Sequence, residues 1–467
     1  MNFKKSYKNA SDKLKIKFLD AIIGENKELQ TAFVNFAGED HPAQETYSFE
    51  QFSQVIAETQ KTFTERFEQV DLENPDWDSY TPIRSGYVEE WEAYQAASEQ
   101  EFENIFDIFQ NLAIDKIIQQ KLTELTAMLI GLYEASLDAD VPDTVYSFDD
   151  VNQYLLSEHT RVTDKIVEKI GMSAISNHAI IQSFEMFFRY CDEEYPGNEH
   201  FAGYFEDFLL GMAGKCDQPG RILSILDQAT IDRKAVSRLV LLLNKMAGNS
   251  SEWLNSAKQY YNHNNEVALQ LLEYYFEQDA NEFIRLAREL FNKDKIYWAG
   301  KIADFATPGL DKDLFVDVNY QLVKSYRKID DYHKLRPHLT PEILENLLRD
   351  INRDNPFKVQ VLAAEERYEE IKAIVENYPD DWEYTQLIRP ILEVFPEFCF
   401  TSISRKARRT LENERGRSTY QRIVEWLQLA DTIPGYKAEN RLLARELYNH
   451  KPNLPALKDE LRKGGLV

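Results

Sequence analysis

Residues 102–118 read FENIFDIFQNLAIDKII and decide the fold class of this chain. Apolar side chains return every three or four positions along this stretch, at Ile105, Phe106, Phe109, Leu112, Ala113, Ile117 and Ile118. Such spacing places them on one face of an α-helix, with polar side chains on the other face. The stretch therefore predicts an amphipathic helix that buries one side against neighbouring helices.

The same periodicity continues along most of the 467 residues. Only residues 13–18 and 316–322 alternate apolar and polar side chains as a strand does, and neither has a partner run across a tight turn. We interpret both as helix. Gly (17) and Pro (16) are used less than in an average protein, so helix breakers are few. The sequence predicts an all-α protein with helix in more than about half of its residues.

Short breaks that contain Pro or Gly divide the chain into helices joined by tight turns, for example at 195–198, 218–220, 307–309 and 433–435. This pattern is typical of antiparallel helix hairpins. Two breaks lead into predicted helix caps, Thr340 before Pro341 and Ser250 before an acidic first turn. We predict an irregular α-solenoid of antiparallel helix hairpins, similar to tetratricopeptide or HEAT repeats.

Two segments share the helix-pair pattern of tetratricopeptide repeats, although no fixed period persists. The first pairs residues 253–261 with 267–276, and the second pairs 359–365 with 369–376. Charge separates the two halves of the chain, because residues 65–107 carry 13 acidic and only two basic side chains. We therefore predict an acidic N-terminal helical domain at 1–215 and a C-terminal helical-repeat domain at 216–467.

Three stretches resemble the helical region of bacterial SWIM zinc-finger proteins. They are SGYVEEW at 85–91, WLNSAK at 253–258 and ALKDELRKGGL at 456–466. The resemblance would cover residues 80–467, but this chain has neither paired cysteines nor a Cys-x-His sequence. The zinc finger itself is absent, so the metal and nucleic-acid roles of that family do not carry over.

The formal net charge of −25 repels phosphate backbones and anionic lipid. Nucleic-acid and membrane-surface binding are therefore disfavoured, and solubility alone explains an acidic surface. The three cysteines, Cys191, Cys216 and Cys399, are odd in number and lie far apart, without the spacing of a metal or redox site. We therefore interpret them as buried thiols in a reducing compartment. No apolar run has the length of a signal peptide core or a membrane span. We predict a cytoplasmic protein.

The sequence matches none of the catalytic or cofactor-binding motifs for phosphate, zinc or a cysteine nucleophile. Residues 209–216 approach a phosphate-binding loop, but Leu209 replaces its first Gly and Cys216 its hydroxyl residue, so we interpret them as a helix end capped by Gly214. No two of the eight His residues have the spacing of a helical zinc site. Cys399 lies between two Phe residues, which favours a buried core thiol over a nucleophile. We predict no cofactor, no metal and no identifiable small-molecule substrate.

Two groups of residues are candidates for binding a partner. Residues 405–422 hold seven basic and two acidic side chains, beginning with Arg405, Lys406, Arg408 and Arg409. This basic island either contacts an acidic partner or docks on the chain's own acidic segment 65–107. The aromatic group comprises Tyr260, Tyr261, Tyr274 and Tyr275. These residues either line a peptide groove or pack between helices.

The predicted function is a non-enzymatic scaffold that mediates protein–protein interaction. Two alternatives stay open. One is an enzyme whose site is assembled from residues distant in sequence, which no local motif would reveal. The other is a nucleic-acid-associated accessory protein, suggested by the resemblance and the basic island.

The absence of metal-ligand spacing generates the first testable prediction. The purified chain should carry no stoichiometric zinc, because structural zinc needs about four Cys or His ligands held together. Elemental analysis of protein purified without chelators measures this directly. About one zinc per chain, retained through gel filtration, would contradict the prediction.

Overall fold

A computed structural model describes residues 47–70, 90–139, 151–377 and 383–467. Helices make up 78% of these residues, and no strand occurs among them. The predicted all-α class and the predicted helical majority are confirmed. The alternating stretch 316–322 lies inside a helix, Lys312–Tyr326, as interpreted from the sequence. The other alternating stretch, 13–18, lies outside the described residues.

The chain forms two compact units, one ending at Leu271 and the other spanning Leu272–Val467. Ten helices of the described residues belong wholly to the N-terminal unit. They are α1 (Phe49–Phe67), α2 (Glu90–Ile118), α3 (Leu122–Leu137), α4 (Val151–Met172), α5 (Asn177–Glu194), α6 (Glu199–Tyr204), α7 (Glu206–Ala213), α8 (Pro219–Gln228), α9 (Ser237–Met246) and α10 (Ser250–Tyr260). The division between the units falls within the next helix, α11 (Asn265–Gln278).

The C-terminal unit continues with α12 (Ala280–Lys293), α13 (Lys295–Ile302), α14 (Lys312–Tyr326), α15 (Ile329–Leu335), α16 (Pro341–Asp350), α17 (Asn355–Ala364), α18 (Tyr368–Asn377), α19 (Tyr384–Ile388), α20 (Pro396–Asn413), α21 (Arg417–Ala430), α22 (Lys437–Tyr448) and α23 (Pro455–Lys463). Consecutive helices pack as neighbours at several points, including α13 with α14, α17 with α18 and α20 with α21. Within the described parts of the chain, none of these helices has the length and apolar composition needed to cross a membrane.

Helix α3 is the centre of the N-terminal unit. It packs against α1, α2, α4 and α5. Thirteen of its 16 residues are buried, on every face of the helix. A helix that is covered all round must be apolar all round. Its sequence LTELTAMLIGLYEASL meets that requirement except at a few polar positions, and those polar side chains need partners inside the core.

Gly131 allows α1 to approach α3 closely. A Cβ atom built on Gly131 would lie 2.6 Å from the backbone oxygen of Ile56 and 2.9 Å from the Cβ of Thr59, both on α1. Neither contact is with the flexible end of a long side chain, so a larger residue cannot be accommodated by a rotamer change. The absence of a side chain at 131 therefore sets the distance between the two helices.

The C-terminal unit has a continuous core that extends from Val316 on α14 to Leu466. Its largest fully buried side chains include Trp426, Tyr332 and Tyr384. The rings of Tyr384 and Trp426 meet edge to face, with their centroids 5.8 Å apart. This aromatic pair joins α19 to α21 beneath the outer surface of α20.

The structure corrects several local predictions. Thr340 caps α16 as expected, accepting a hydrogen bond from the Ile343 amide at 3.3 Å. Ser250 is not a cap, because the helix begins at Ser250 and Asn249 occupies the cap position without a side-chain hydrogen bond. On the predicted buried face of α2, Leu112 and Ile118 are 46% and 37% exposed, whereas Phe109 and Ala113 are buried.

The stretch 201–212, whose sequence predicts one helix, forms two, α6 and α7, which meet at Phe205. Gly214 ends α7 as predicted. The predicted domain boundary between residues 215 and 216 rests on charge and helix length, and it stays a prediction beside the contact-based division at Leu271.

Gly131→Ala should destabilise the N-terminal unit by about 1–3 kcal/mol, because the new methyl group forces α1 and α3 apart. Denaturant unfolding followed by circular dichroism measures the change. Gly171→Ala on α4 is the matched control, since a Cβ there meets no atom within 4 Å. The control should be neutral or stabilising by up to about 1 kcal/mol through helix propensity. Equal effects of the two variants would refute the close approach.

Candidate functional site

Helix α20 presents one apolar face and one basic face. Pro396 occupies its first turn, where a missing amide proton costs nothing. Cys399, Ile403, Ala407 and Leu411 follow at intervals of four residues and are all buried. Burial raises the pKa of the Cys399 thiol to about 12, so it is a core side chain and not a nucleophile.

The opposite face of α20 lines a cavity of about 620 Å³, which we call the basic groove. From α20 it is lined by Phe398, Thr401, Ser402, Arg405, Lys406, Arg409, Thr410 and Asn413, and from elsewhere by Val375, Glu376, Tyr384 and Glu414. Residues three, four and seven positions apart on a helix share a face, so Ser402, Arg405, Lys406 and Arg409 project into the groove together. Arg405 and Arg409 are exposed, and Lys406 is half-buried.

Aromatic rings hold the floor of the groove in place. The ammonium group of Lys406 lies 4.6 Å from the centroid of the Tyr384 ring and 5.7 Å from that of Trp426. Cation–π attraction of this kind fixes a lysine without neutralising its charge. The hydroxyl group of Tyr384 forms a 2.7 Å hydrogen bond with that of Ser402. The groove therefore combines positive charge with hydroxyl groups and aromatic surface.

Three other arginines of the basic island are engaged in ion pairs, whereas Arg415 donates a hydrogen bond to the backbone oxygen of Glu414. Arg408 donates two hydrogen bonds to the carboxylate of Glu446, at 2.8 and 2.7 Å. These bonds raise the pKa of Arg408 and lower the pKa of Glu446. Arg417 pairs with Asp459 and Glu460, and Arg422 pairs with Glu414. All these partners belong to the C-terminal unit.

Arg405 and Arg409 differ from them. Within the described residues, neither guanidinium group forms a hydrogen bond or an ion pair. The structure thus divides the four predicted basic residues, with Arg405, Lys406 and Arg409 lining the groove and Arg408 bound to Glu446. Residues 71–89 of the acidic segment 65–107 lie outside the described residues, so docking of that segment on the island stays a prediction.

The sequence analysis missed part of the groove. Thr401 and Ser402 lie one turn before Arg405, so helical spacing was the signal that could have added them. Tyr384 comes from another helix, and no pattern in the sequence places it beside Lys406. The predicted island also contained Arg408, because sequence proximity does not distinguish the two faces of a helix.

The four predicted tyrosines lie at helix packing positions. Tyr260 and Tyr275 are buried, with 6% and 5% of their surface exposed, and Tyr261 and Tyr274 are half-buried. Tyr260 and Tyr261 belong to the N-terminal unit, whereas Tyr274 and Tyr275 belong to the C-terminal unit. Their burial fits the packing alternative, and their role in binding a partner stays a prediction.

A buried carboxylate lies in the N-terminal unit. Glu134 on α3 is 7% exposed and borders a cavity of about 340 Å³. It accepts hydrogen bonds from the hydroxyl groups of Tyr190 and Tyr195, at 2.8 and 2.6 Å, and from the side-chain amide of Gln60 at 2.7 Å. Burial raises the pKa of Glu134, and the two tyrosine hydrogen bonds oppose that shift. Three donors thus offset much of the cost of desolvating this carboxylate.

His159 on α4 is fully buried beside the same central helix. Its Nε2 lies 2.9 Å from the backbone oxygen of Leu129, which can only accept, so Nε2 carries the proton. Nδ1 then accepts a hydrogen bond from the Tyr204 hydroxyl at 2.9 Å. Burial lowers the pKa of His159 to about 4, so the ring is neutral at physiological pH. Both ring nitrogens are occupied by structural hydrogen bonds.

Among the residues with described positions, no three His, Cys, Asp or Glu side chains converge as a metal site. Cys191, Cys216 and Cys399 are buried and unbridged, as predicted. The basic groove is therefore the strongest candidate for a binding site.

The neutral state of His159 predicts a pH dependence of stability. The unfolded chain binds a proton at this residue below about pH 6.5, whereas the folded protein binds it only near pH 4. Stability present above pH 6.5 is therefore lost as the pH falls, by about 2 kcal/mol between about pH 7 and pH 5. In His159→Gln this contribution should disappear. Glu134 shifts stability in the opposite direction in both proteins and cancels in the comparison.

Urea unfolding of wild type and His159→Gln at the two pH values measures the difference. His200→Gln, which replaces an exposed histidine of the same unit, is the matched control and should keep the wild-type pH dependence. An unchanged pH dependence in His159→Gln would contradict the assignment.

Comparison with known proteins adds no relative. No protein-family model matches the chain, and no curated protein matches its sequence. Any function assigned to the chain therefore rests on the chemistry of its own residues.

Proposed function

We propose that this protein is a non-enzymatic helical scaffold that binds an acidic segment of a partner protein in the basic groove. One observation carries the proposal. Arg405 and Arg409, one turn apart on α20, face a cavity of about 620 Å³ without a carboxylate partner in the described residues. Neighbouring Arg408 is instead neutralised by a bidentate ion pair within the unit.

The chemistry of the groove suits a peptide. Guanidinium groups bind carboxylates through paired hydrogen bonds, which gives an acidic side chain both energy and orientation. Thr401 and Ser402 supply hydroxyl groups that can bond a peptide backbone, and Phe398 adds apolar surface. A protein with a net charge of −25 repels acidic partners over most of its surface, so a basic groove also directs them to one place.

The proposal includes the finer architecture and the location. Consecutive helices that pack in pairs support an irregular α-solenoid of the tetratricopeptide or HEAT type. The buried, unbridged cysteines support a reducing compartment, and we place the protein in the cytoplasm. A relationship to the helical region of SWIM zinc-finger proteins is also a proposal. Residues 253–258 lie in α10, residues 456–466 span α23 and its end, and most of the stretch 85–91 lies outside the described residues.

Glu376 argues against nucleic acid as the occupant. It borders the groove, forms no ion pair among the described residues and would repel a phosphate backbone, whereas a peptide can place an amide group beside it. The other bordering carboxylate, Glu414, is paired with Arg422. A nucleic-acid accessory role therefore ranks below peptide binding.

An enzyme assembled from distant residues is the second candidate function, favoured by the Glu134 cavity. Gln60 and the pair Tyr190 and Tyr195 come from two parts of the sequence distant from Glu134, and all three side chains donate hydrogen bonds to its carboxylate. A carboxyl group with a raised pKa can act as a general acid. Turnover in a hydrolase screen that is lost in Glu134→Gln, with the fold retained, would establish this alternative.

Charge reversal tests the groove. In Arg405→Glu/Arg409→Glu, the dissociation constant for a fluorescein-labelled glutamate-rich peptide should rise about tenfold or more, because two charge-assisted contacts become repulsive. Fluorescence anisotropy with the full chain measures it. Arg353→Glu/Lys437→Glu makes the same charge change at exposed sites outside the groove and is the matched control.

The control should keep wild-type affinity, and binding in both proteins should weaken with salt. A loss of thermal stability in the groove variant at low salt that shrinks at high salt would favour intramolecular docking instead. Tighter binding of single-stranded DNA than of peptide would favour the nucleic-acid alternative. No difference between groove variant and control would remove the groove from consideration.

A further inference from the structure

A second cavity in the C-terminal unit has a volume of about 500 Å³. It is lined by Arg441, Arg445, Tyr448, Asn449, Arg462, Gly465, Leu466 and Val467. We call it the arginine cavity. Arg441 and Arg445 lie four residues apart on α22 and therefore on one face of that helix. Arg462 reaches the cavity from the last turn of α23. Two helices thus direct three guanidinium groups at one space.

The chain after α23 forms a further wall. Gly465 has φ of +70°, a left-handed conformation that costs glycine little. Its amide donates to the oxygen of Arg462 at 3.0 Å, and the amide of Leu466 donates to the oxygen of Leu461 at 3.1 Å. This pair of bonds is the Schellman motif, which reverses the chain at a helix end. Leu466 is buried, so the reversed segment is anchored against the core.

Tyr448 is contacted by positively charged side chains at its ring and at its hydroxyl group. The ammonium group of Lys458 and the guanidinium of Arg462 lie 4.8 and 5.3 Å from the ring centroid. Arg462 also donates a hydrogen bond to the phenolic oxygen. Because that oxygen is already an acceptor, its own proton is available to a ligand in the cavity.

Two carboxylates close in sequence to the cavity residues are bound elsewhere. Glu446, which follows Arg445, is held by Arg408. Asp459, which follows Lys458, is held by Arg417 and Lys463. In the described part of the chain, no ion pair reaches Arg441, Arg445, Lys458 or Arg462. Two arginines four apart repel each other slightly, and no acidic side chain is among the described residues that line the cavity.

We propose that the arginine cavity binds the phosphate groups of a small phosphorylated molecule. A phosphate monoester carries about −1.5 to −2 charges at neutral pH and three strong acceptor oxygens, so it can accept hydrogen bonds from several guanidinium groups at once. A single carboxylate would neutralise one guanidinium group. The volume of about 500 Å³ lies within the range of small-molecule sites and exceeds what one phosphate fills. A molecule with two or more phosphate groups therefore fits both the charge and the space.

Isothermal titration of the full chain with sodium pyrophosphate tests the proposal. Wild type should bind pyrophosphate. The dissociation constant of Arg441→Gln/Arg445→Gln should be higher by about tenfold or more. Both arginines are exposed and unpaired in the described structure, so the variant should fold, which circular dichroism checks. Arg462→Gln is a second variant with the same expected loss, acting from the other helix.

Lys328→Gln/Arg353→Gln removes two exposed basic side chains that line neither cavity and is the matched control. It should keep wild-type affinity for pyrophosphate. Pyrophosphate and the acidic peptide are titrated separately, so failure of this site and failure of the basic groove are distinguishable. Three outcomes would overturn the proposal. They are no binding by wild type, equal losses in the Arg441/Arg445 variant and the Lys328/Arg353 control, and binding to phosphoinositide-containing vesicles without binding of pyrophosphate.

Discussion

Enclosure of α3 on every side is the constraint on which the N-terminal unit depends. A helix surrounded by four others can have no exposed face, so every polar side chain on it must find a partner inside the protein. Gly131 lets α1 pack closely against α3, because it has no side chain between the two helices. Glu134 has its partners in Gln60, Tyr190 and Tyr195, and the backbone oxygen of Leu129 is contacted by His159. Packing and hydrogen bonding are therefore satisfied by the same neighbours.

In the C-terminal unit, some arginines are paired with carboxylates of the same unit, and others have no ion pair among the described residues. Arg408, Arg417 and Arg422 each meet a carboxylate, and these pairs join α20 to α22 and α21 to α23. Each exposed ion pair of this kind contributes little to the stability of the fold. The carboxylates in these pairs are, however, no longer available to other basic side chains. Arg405, Arg409, Arg441 and Arg445 form no ion pair among the described residues. Two basic sites on an acidic protein follow from where the carboxylates lie.

We propose different ligands for the two cavities because their surroundings differ. The basic groove is larger, contains hydroxyl and aromatic groups, and is bordered by Glu376 and Glu414. A peptide can place neutral amide groups beside those carboxylates. The arginine cavity has three guanidinium groups and a phenol, with no acidic side chain in its described lining. Dense positive charge in a small space favours a compact, highly charged anion.

Local periodicity determined the helices of this protein by itself, because the apolar face of a helix is written in residues three and four apart. The lack of a partner strand predicted helix at 316–322, which lies within Lys312–Tyr326, and composition identified the basic island. The sequence could not separate Arg408 from Arg405 and Arg409, place Tyr384 beside Lys406, or place Arg462 beside Arg441. Those relations depend on which helices pack together, and packing joins residues far apart in sequence. The tertiary structure alone decided which charges are neutralised inside the fold and which face open space.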